Sequence, residues 1–174
     1  MTNLTKPIAL VLLSIAILFT ACTSKREKAA KAISVQEKEL QKENARPEKA
    51  KLDALLASYI SFADNFPKDT MAPQYLYHAV NLCMGTGDGN KAMELIDRTI
   101  NQYPNSPKLP ETIFLKAYVY ENLLGDYGKA ASVYRDFVSR FPDNELADDA
   151  RTAIENLGKT PEEMIKEFEA KNQK

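Results

Sequence analysis

Residues 79–104 read AVNLCMGTGDGNKAMELIDRTINQYP, and residues 117–142 read AYVYENLLGDYGKAASVYRDFVSRFP. The two stretches coincide at Ala79/Ala117, Gly87-Asp88/Gly125-Asp126, Lys91-Ala92/Lys129-Ala130 and Pro104/Pro142, each match 38 residues apart. Working outward, a third aromatic-proline pair, Phe66-Pro67, lies 37 residues before Tyr103-Pro104. Leu55, Ala92 and Ala130 stand 12 residues before the three prolines, and Tyr59, Ile96 and Tyr134 stand 8 before them. Self-similarity at such a period marks a stack of supersecondary units, each too small to bury its own apolar face alone.

One unit can be read from its local chemistry. Residues 71–84 and 110–124 are apolar at helical spacing. A Gly-Asp turn ends each, because glycine relieves the helix end and aspartate caps the next start. Second helices follow over about 91–103 and 127–141, and proline closes them by disfavouring the α conformation in the residue before it. The small residues Ala79/Ala92 and Ala117/Ala130 let two antiparallel helices approach closely. Tyr59, Ile96 and Tyr134, with Phe62 and Phe137, are expected to fill the seams between units.

This pattern resembles the tetratricopeptide repeat family. The small alanine of the first helix, the alanine opening the second, the large residue four later and the closing proline stand where that family has them. The period exceeds the family's 34 by a few residues. Longer units of this kind are similar to those of BamD-type outer-membrane assembly lipoproteins and Tol-Pal-associated coordinator proteins. The resemblance spans about 46–158 and implies an all-α, TPR-like α-solenoid of about three to three and a half helix-turn-helix units. It further implies a non-enzymatic scaffold that binds a protein or peptide of the cell envelope.

A first helix over about 145–157 should follow Pro142 and end at Gly158. Thr160-Pro161-Glu162-Glu163 then carries a cap, a proline suited to the first helical position and the glutamate of a capping box. The closing helix, about 161–171 in a capping segment 159–174, offers Met164, Ile165 and Phe168 to the core.

The N-terminal part reads as an address. Residues 1–21 hold one lysine, no acidic group and the run IALVLLSIAILF from Ile8 to Phe19. That run is too short to span a bilayer and fits a secretory signal peptide. Phe19-Thr20-Ala21-Cys22 resembles a bacterial lipoprotein box, with phenylalanine where leucine is usual. The resemblance implies acylation of Cys22, and the absence of an aspartate after it implies the outer membrane, facing the periplasm. The alternative is an ordinary signal peptide with a chance cysteine. Residues 22–45 form a charged tether or helix. Within 25–51 there are nine Lys/Arg against five Asp/Glu, and the apolar stripe of 27–43 is thin (Ala29, Ile33, Leu40), which suggests weak packing. Those cations could touch anionic headgroups or simply be solvated.

Composition narrows the chemistry. A net charge of -1 over 174 residues and a pI of about 5.9 argue against a duplex nucleic-acid binder. One histidine and two distant cysteines build no metal site, and no metal or cofactor is expected. Residues 84–91 (MGTGDGNK) fail as a phosphate loop, since Asn90 separates glycine from lysine and Ala92 stands where Ser/Thr would bind magnesium. If Cys22 is acylated, Cys83 has no partner within the chain and serves as a small buried hydrophobe.

Counting one and four residues on from each first-helix alanine gives Val80 and Cys83, then Tyr118 and Glu121, as candidates for a concave partner-binding face. Asn122, Arg151 and Glu155 are neighbours. Tyr118 beside Glu121 is the favoured anchor, because binding energy concentrates on aromatics next to polar groups. The same residues read blandly are core (Val80, Cys83) and solvated charge. Two alternatives stay open: a ligand-binding or enzyme-accessory pocket among Tyr75, Tyr77, His78 and Tyr118, and a coordinator of the envelope or of division.

Overall fold

The repeated turns dictate the architecture. A computed structural model describes residues 25–42 and 47–172, all-helical among the described residues. The expected signal peptide, the expected lipoprotein box and Cys22 lie outside them. Helix α1 covers 25–42, followed by α2 (Lys49–Asn65), α3 (Ala72–Thr86), α4 (Gly89–Gln102), α5 (Leu109–Asn122), α6 (Tyr127–Arg140), α7 (Ala147–Asn156) and α8 (Pro161–Asn172). The bounds of α3 to α8 fall within two residues of those expected from the sequence, which set none for α2. By its internal contacts the chain divides into two compact units, Met1–Ala72 and Pro73–Lys174.

Each boundary has a local cause. Gly87 and Gly125 sit at φ 80° and 65°, the left-handed region where a Cβ would be strained. The Asp88 and Asp126 carboxylates then accept the Lys91 and Lys129 amide hydrogens, each at 3.0 Å, and start α4 and α6. The Thr160 hydroxyl accepts from the Glu163 amide at 3.2 Å while the Glu163 carboxylate accepts from the Thr160 amide at 2.8 Å, the expected reciprocal box.

The aromatic-proline turns share one further device that their spacing conceals. Asp69, Ser106 and Asn144 each stand three residues after the turn's aromatic. Their amides bond the carbonyls of Phe66, Tyr103 and Phe141 at 2.9–3.1 Å. Their side chains accept the amide two residues on, at Met71, Lys108 and Leu146, at 2.8–3.1 Å. An Asx or Ser turn thus sets the entry angle of every following helix.

In the first unit α1 runs antiparallel to α2. Arg26 reaches Asp69, the Tyr59 hydroxyl donates to Glu37, and a cleft is walled by Ala29 and Ala32 on one side and Ser58 and Ser61 on the other. Ile33 is 1% exposed. The expectation of weak packing fails at this point, because the buried Ile33 is joined by the Arg26–Asp69 and Tyr59–Glu37 bonds in seating the helix. Arg26 grips Asp69 with two bonds, at 2.7 and 3.2 Å, and the guanidinium holds the Asp69 carboxyl below the usual carboxylate range.

In the second unit one cluster joins Ile113 and Ala117 of α5, Ala130, Tyr134 and Phe137 of α6, and Ala150 of α7. Ala79 and Ala92, like Ala117 and Ala130, are fully buried, as the close helix approach requires. Thr99 and Thr112 are buried too, and their hydroxyls donate to the Leu95 and Lys108 carbonyls one turn back.

The glycine-rich 85–89 segment is a helix end, and its glycines do different things. A Cβ on Gly89 would meet the Leu123 Cβ at 2.9 Å and the Leu124 Cδ2 at 3.1 Å, whereas one on Gly85, inside α3, would meet nothing within 4 Å. Gly89→Ala should therefore destabilise by about 1–3 kcal/mol, because a Cβ cannot rotate away. Gly85→Ala should stabilise by about 0.5–1 kcal/mol. Urea midpoints of the two variants test this, and equal signs would refute it.

The closing helix departs from expectation. Met164, Ile165 and Phe168 are 38%, 59% and 67% exposed and contribute nothing to the core. By their distance from the cap, Met164 and Phe168 occupy the register of Ala92/Ile96 and Ala130/Tyr134. Methionine stands where both buried helices have the alanine that permits close approach.

Candidate functional site

The candidate face divides into residues the fold has used and residues it leaves open. Val80 and Cys83 are 0% and 1% exposed. They underlie the surface and cannot line it, which corrects their reading as groove residues. Burial, reinforced by the Asp88 and Glu94 carboxylates, pushes the Cys83 thiol up to about 11. A thiol held protonated is a packing group.

Glu121 has an internal duty. Its carboxylate accepts the Tyr134 hydroxyl at 2.8 Å. Burial first, then that bond and its charge, raise the Tyr134 phenol well above its ordinary value. The first unit repeats the device, with Tyr59 donating to Glu37 at 2.7 Å. At the matching positions of the central unit stand Ile96 and Cys83, both buried. A buried hydroxyl requires an acceptor, so tyrosine and glutamate occur together or are both replaced by apolar groups. Sequence reading placed Glu121 beside Tyr118 on the partner-binding face, because its partner Tyr134 lies across a turn. The paired change from 134/121 to 96/83, 38 residues apart, was the available signal.

What remains open is the outer side of α5 and α7. Tyr118 is 39% exposed, and Asn122, one turn on, is exposed and donates to the Tyr118 carbonyl at 3.2 Å. On α7, Arg151 and Glu155 are exposed. Arg151 pairs with Asp148 and also donates to the Pro142 carbonyl at 3.4 Å. No hydrogen bond or ion pair among the described residues joins the α5 pair to Arg151 or Glu155, although Ala117 and Ala150 bring both helices into one core.

The residues of the alternative pocket have partners of their own. Tyr75 is buried, His78 engages Gln74 at 3.0 Å, and the Lys108 ammonium sits 5.3 Å over the Tyr77 ring. Glu111 beside Lys108 raises that ammonium above its usual value. Among the described residues no group of three or more His, Cys, Asp or Glu side chains could hold a metal ion, and no helix is long and apolar enough to cross a membrane.

Comparison with known proteins agrees with this anatomy at one place. Residues 111–144 match the family model described as tetratricopeptide repeat, which takes in nearly all of α5, the Gly125 turn, α6 and the Phe141-Pro142 turn. No curated protein matches the chain, so the likeness to BamD-type or Tol-Pal coordinator proteins gains no support. The match covers about a fifth of the chain and suggests a protein–protein interaction scaffold. Residues 111–144 thus match a tetratricopeptide repeat, and the described residues around them are all-helical, in helix-turn-helix units.

Proposed function

We propose that this chain is a lipid-anchored, non-enzymatic scaffold that faces the periplasm from the outer membrane. There it holds a protein or peptide segment of the envelope, in outer-membrane protein assembly or envelope coordination. The observation that carries the binding role is Tyr118, a large aromatic left 39% exposed on the matched repeat while its helix neighbours are buried. The anchor rests on the sequence around Cys22. Tethering raises the effective concentration of the face for partners near the membrane.

Two variants separate the parts of this reading. Cys22→Ala should release the chain from membranes into the soluble fraction, and continued retention would sink the anchor. Tyr118→Ala with Asn122→Ala should weaken partner capture roughly 30-fold or more while helix content stays unchanged. Glu121 is left intact, because its loss would disturb Tyr134. A photo-crosslinker at position 118 in the native cell identifies the partner. No crosslink there, with crosslinks confined to 25–51, would end the claim for this face.

A further inference from the structure

α1 carries a second surface, independent of the α5 and α7 face. Lys28, Lys31, Val35, Lys38 and Lys42 recur at alternating intervals of three and four residues, which places them on one side of a helix. All five are exposed, Val35 to 47%. The opposite side is committed to α2 through Arg26, Ile33 and Glu37. The exposed Glu27 and Glu39 stand at the flanks, so the outward side carries four ammonium groups against two carboxylates, in a chain whose net charge is -1.

We propose that this stripe is a docking surface for the anionic headgroups of a phospholipid bilayer. Its length from Lys28 to Lys42 is about 21 Å at the helical rise, so its cations can meet a plane of headgroups together. Because Ile33 and the Arg26–Asp69 bridge seat the helix, the lysines form a fixed row. An exposed valine at the centre of a lysine row is the composition that settles at the headgroup–acyl boundary. A duplex nucleic acid, bound through its phosphates, has no use for that valine. The stripe begins six residues after Cys22, so the acyl anchor of the proposed function would keep its first lysine within about 20 Å of the surface. To that extent the inference rests on the membrane location proposed above. Each lysine near an anionic surface strengthens attachment several-fold.

The test uses the full lipidated chain with a fluorescent label on Val35→Cys, Cys83 being buried. It is reconstituted into vesicles of phosphatidylcholine alone or of an equal mixture with phosphatidylglycerol. Quenching of the label by an aqueous quencher should fall several-fold in the anionic vesicles. It should recover in about 1 M salt, where charges are screened within ~3 Å. Replacing Lys28, Lys31, Lys38 and Lys42 by glutamine should abolish the difference. Equal quenching in both compositions overturns the proposal. So does a difference that survives the glutamine variant, or shielding that appears only when an acidic protein or nucleic acid is added. Flotation with the neutral vesicles reports the anchor separately. A chain that floats only with anionic vesicles, and is released by salt, would support the stripe while refuting the acyl anchor.

Discussion

Phe137→Ala should cost about 3–5 kcal/mol of folding stability. The side chain is fully buried in the last turn of α6. Its ring meets Phe114 of α5 edge-on at 5.7 Å and lies 5.5 Å from Phe141 of the following turn. Ala150 of α7 packs in the same cluster. Truncation would open a cavity where three helices meet, and all three backbones are pinned by their own turns and cannot collapse into it. Domains of this size are stable by roughly 5–15 kcal/mol, so the variant should approach the threshold of folding, with a melting temperature lower by about 10 °C or more. The check is a urea transition with an unchanged slope and a lower midpoint. A loss below about 1 kcal/mol would show that α6 is not the element binding α5 and α7. Thr99 holds the same repeat position in α4 and makes a bond only to its own helix, so Thr99→Ala should cost only about 1 kcal/mol.

The second large effect is alkaline destabilisation. The Cys83 thiol is raised from an ordinary 9.0 to about 11, and the Tyr134 phenol is raised above an ordinary 10.0. A raised value means that the folded chain keeps its proton where the unfolded chain releases it. Stability is therefore fully present below the unfolded values and falls as pH rises past them, by about 1.4 kcal/mol per pH unit for each group. Cys83 alone acts between about pH 9 and 10, and both act above that. The loss should reach roughly 4 kcal/mol by pH 11. Urea midpoints measured from pH 7 to 11 test this, with Cys83→Ala delaying the onset to about pH 10. A flat profile would show that neither group keeps its proton in the folded state. Asp69, held low by Arg26, acts at the other end of the scale. Its contribution is present above the ordinary carboxylate value and is lost as pH falls through the lowered one.

Much of the fold was legible because its signals are local. Gly87 and Gly125, the aspartates after them and the aromatic-proline pairs act within a single turn of the chain, so helices α3 to α7 emerge from spacing alone. The first unit was harder to see. Tyr59 and Glu37 are 22 residues apart, whereas Tyr134 and Glu121 are 13 apart. Nine extra residues between α1 and α2 break the period, and α1 then reads as a charged tether or helix outside the repeat. The repeat still held a clue. Leu55, Tyr59 and Phe66-Pro67 mark α2 as a second helix, and a second helix needs a first to cover it.

Sequence alone determined the helix-turn-helix unit, its caps and turns and the capping box of α8, because each depends on residues in contact along the chain. Tertiary structure decided what those helices do with their faces. It buried Val80 and Cys83, committed Glu121 to Tyr134, seated α1 by Ile33 and Arg26, and left Tyr118 and the α1 lysines outward while Met164, Ile165 and Phe168 stayed exposed. A helical period states which residues share a side. Whether that side meets another helix or water depends on elements tens of residues away, and on whether an alanine or a methionine stands where two helices must touch.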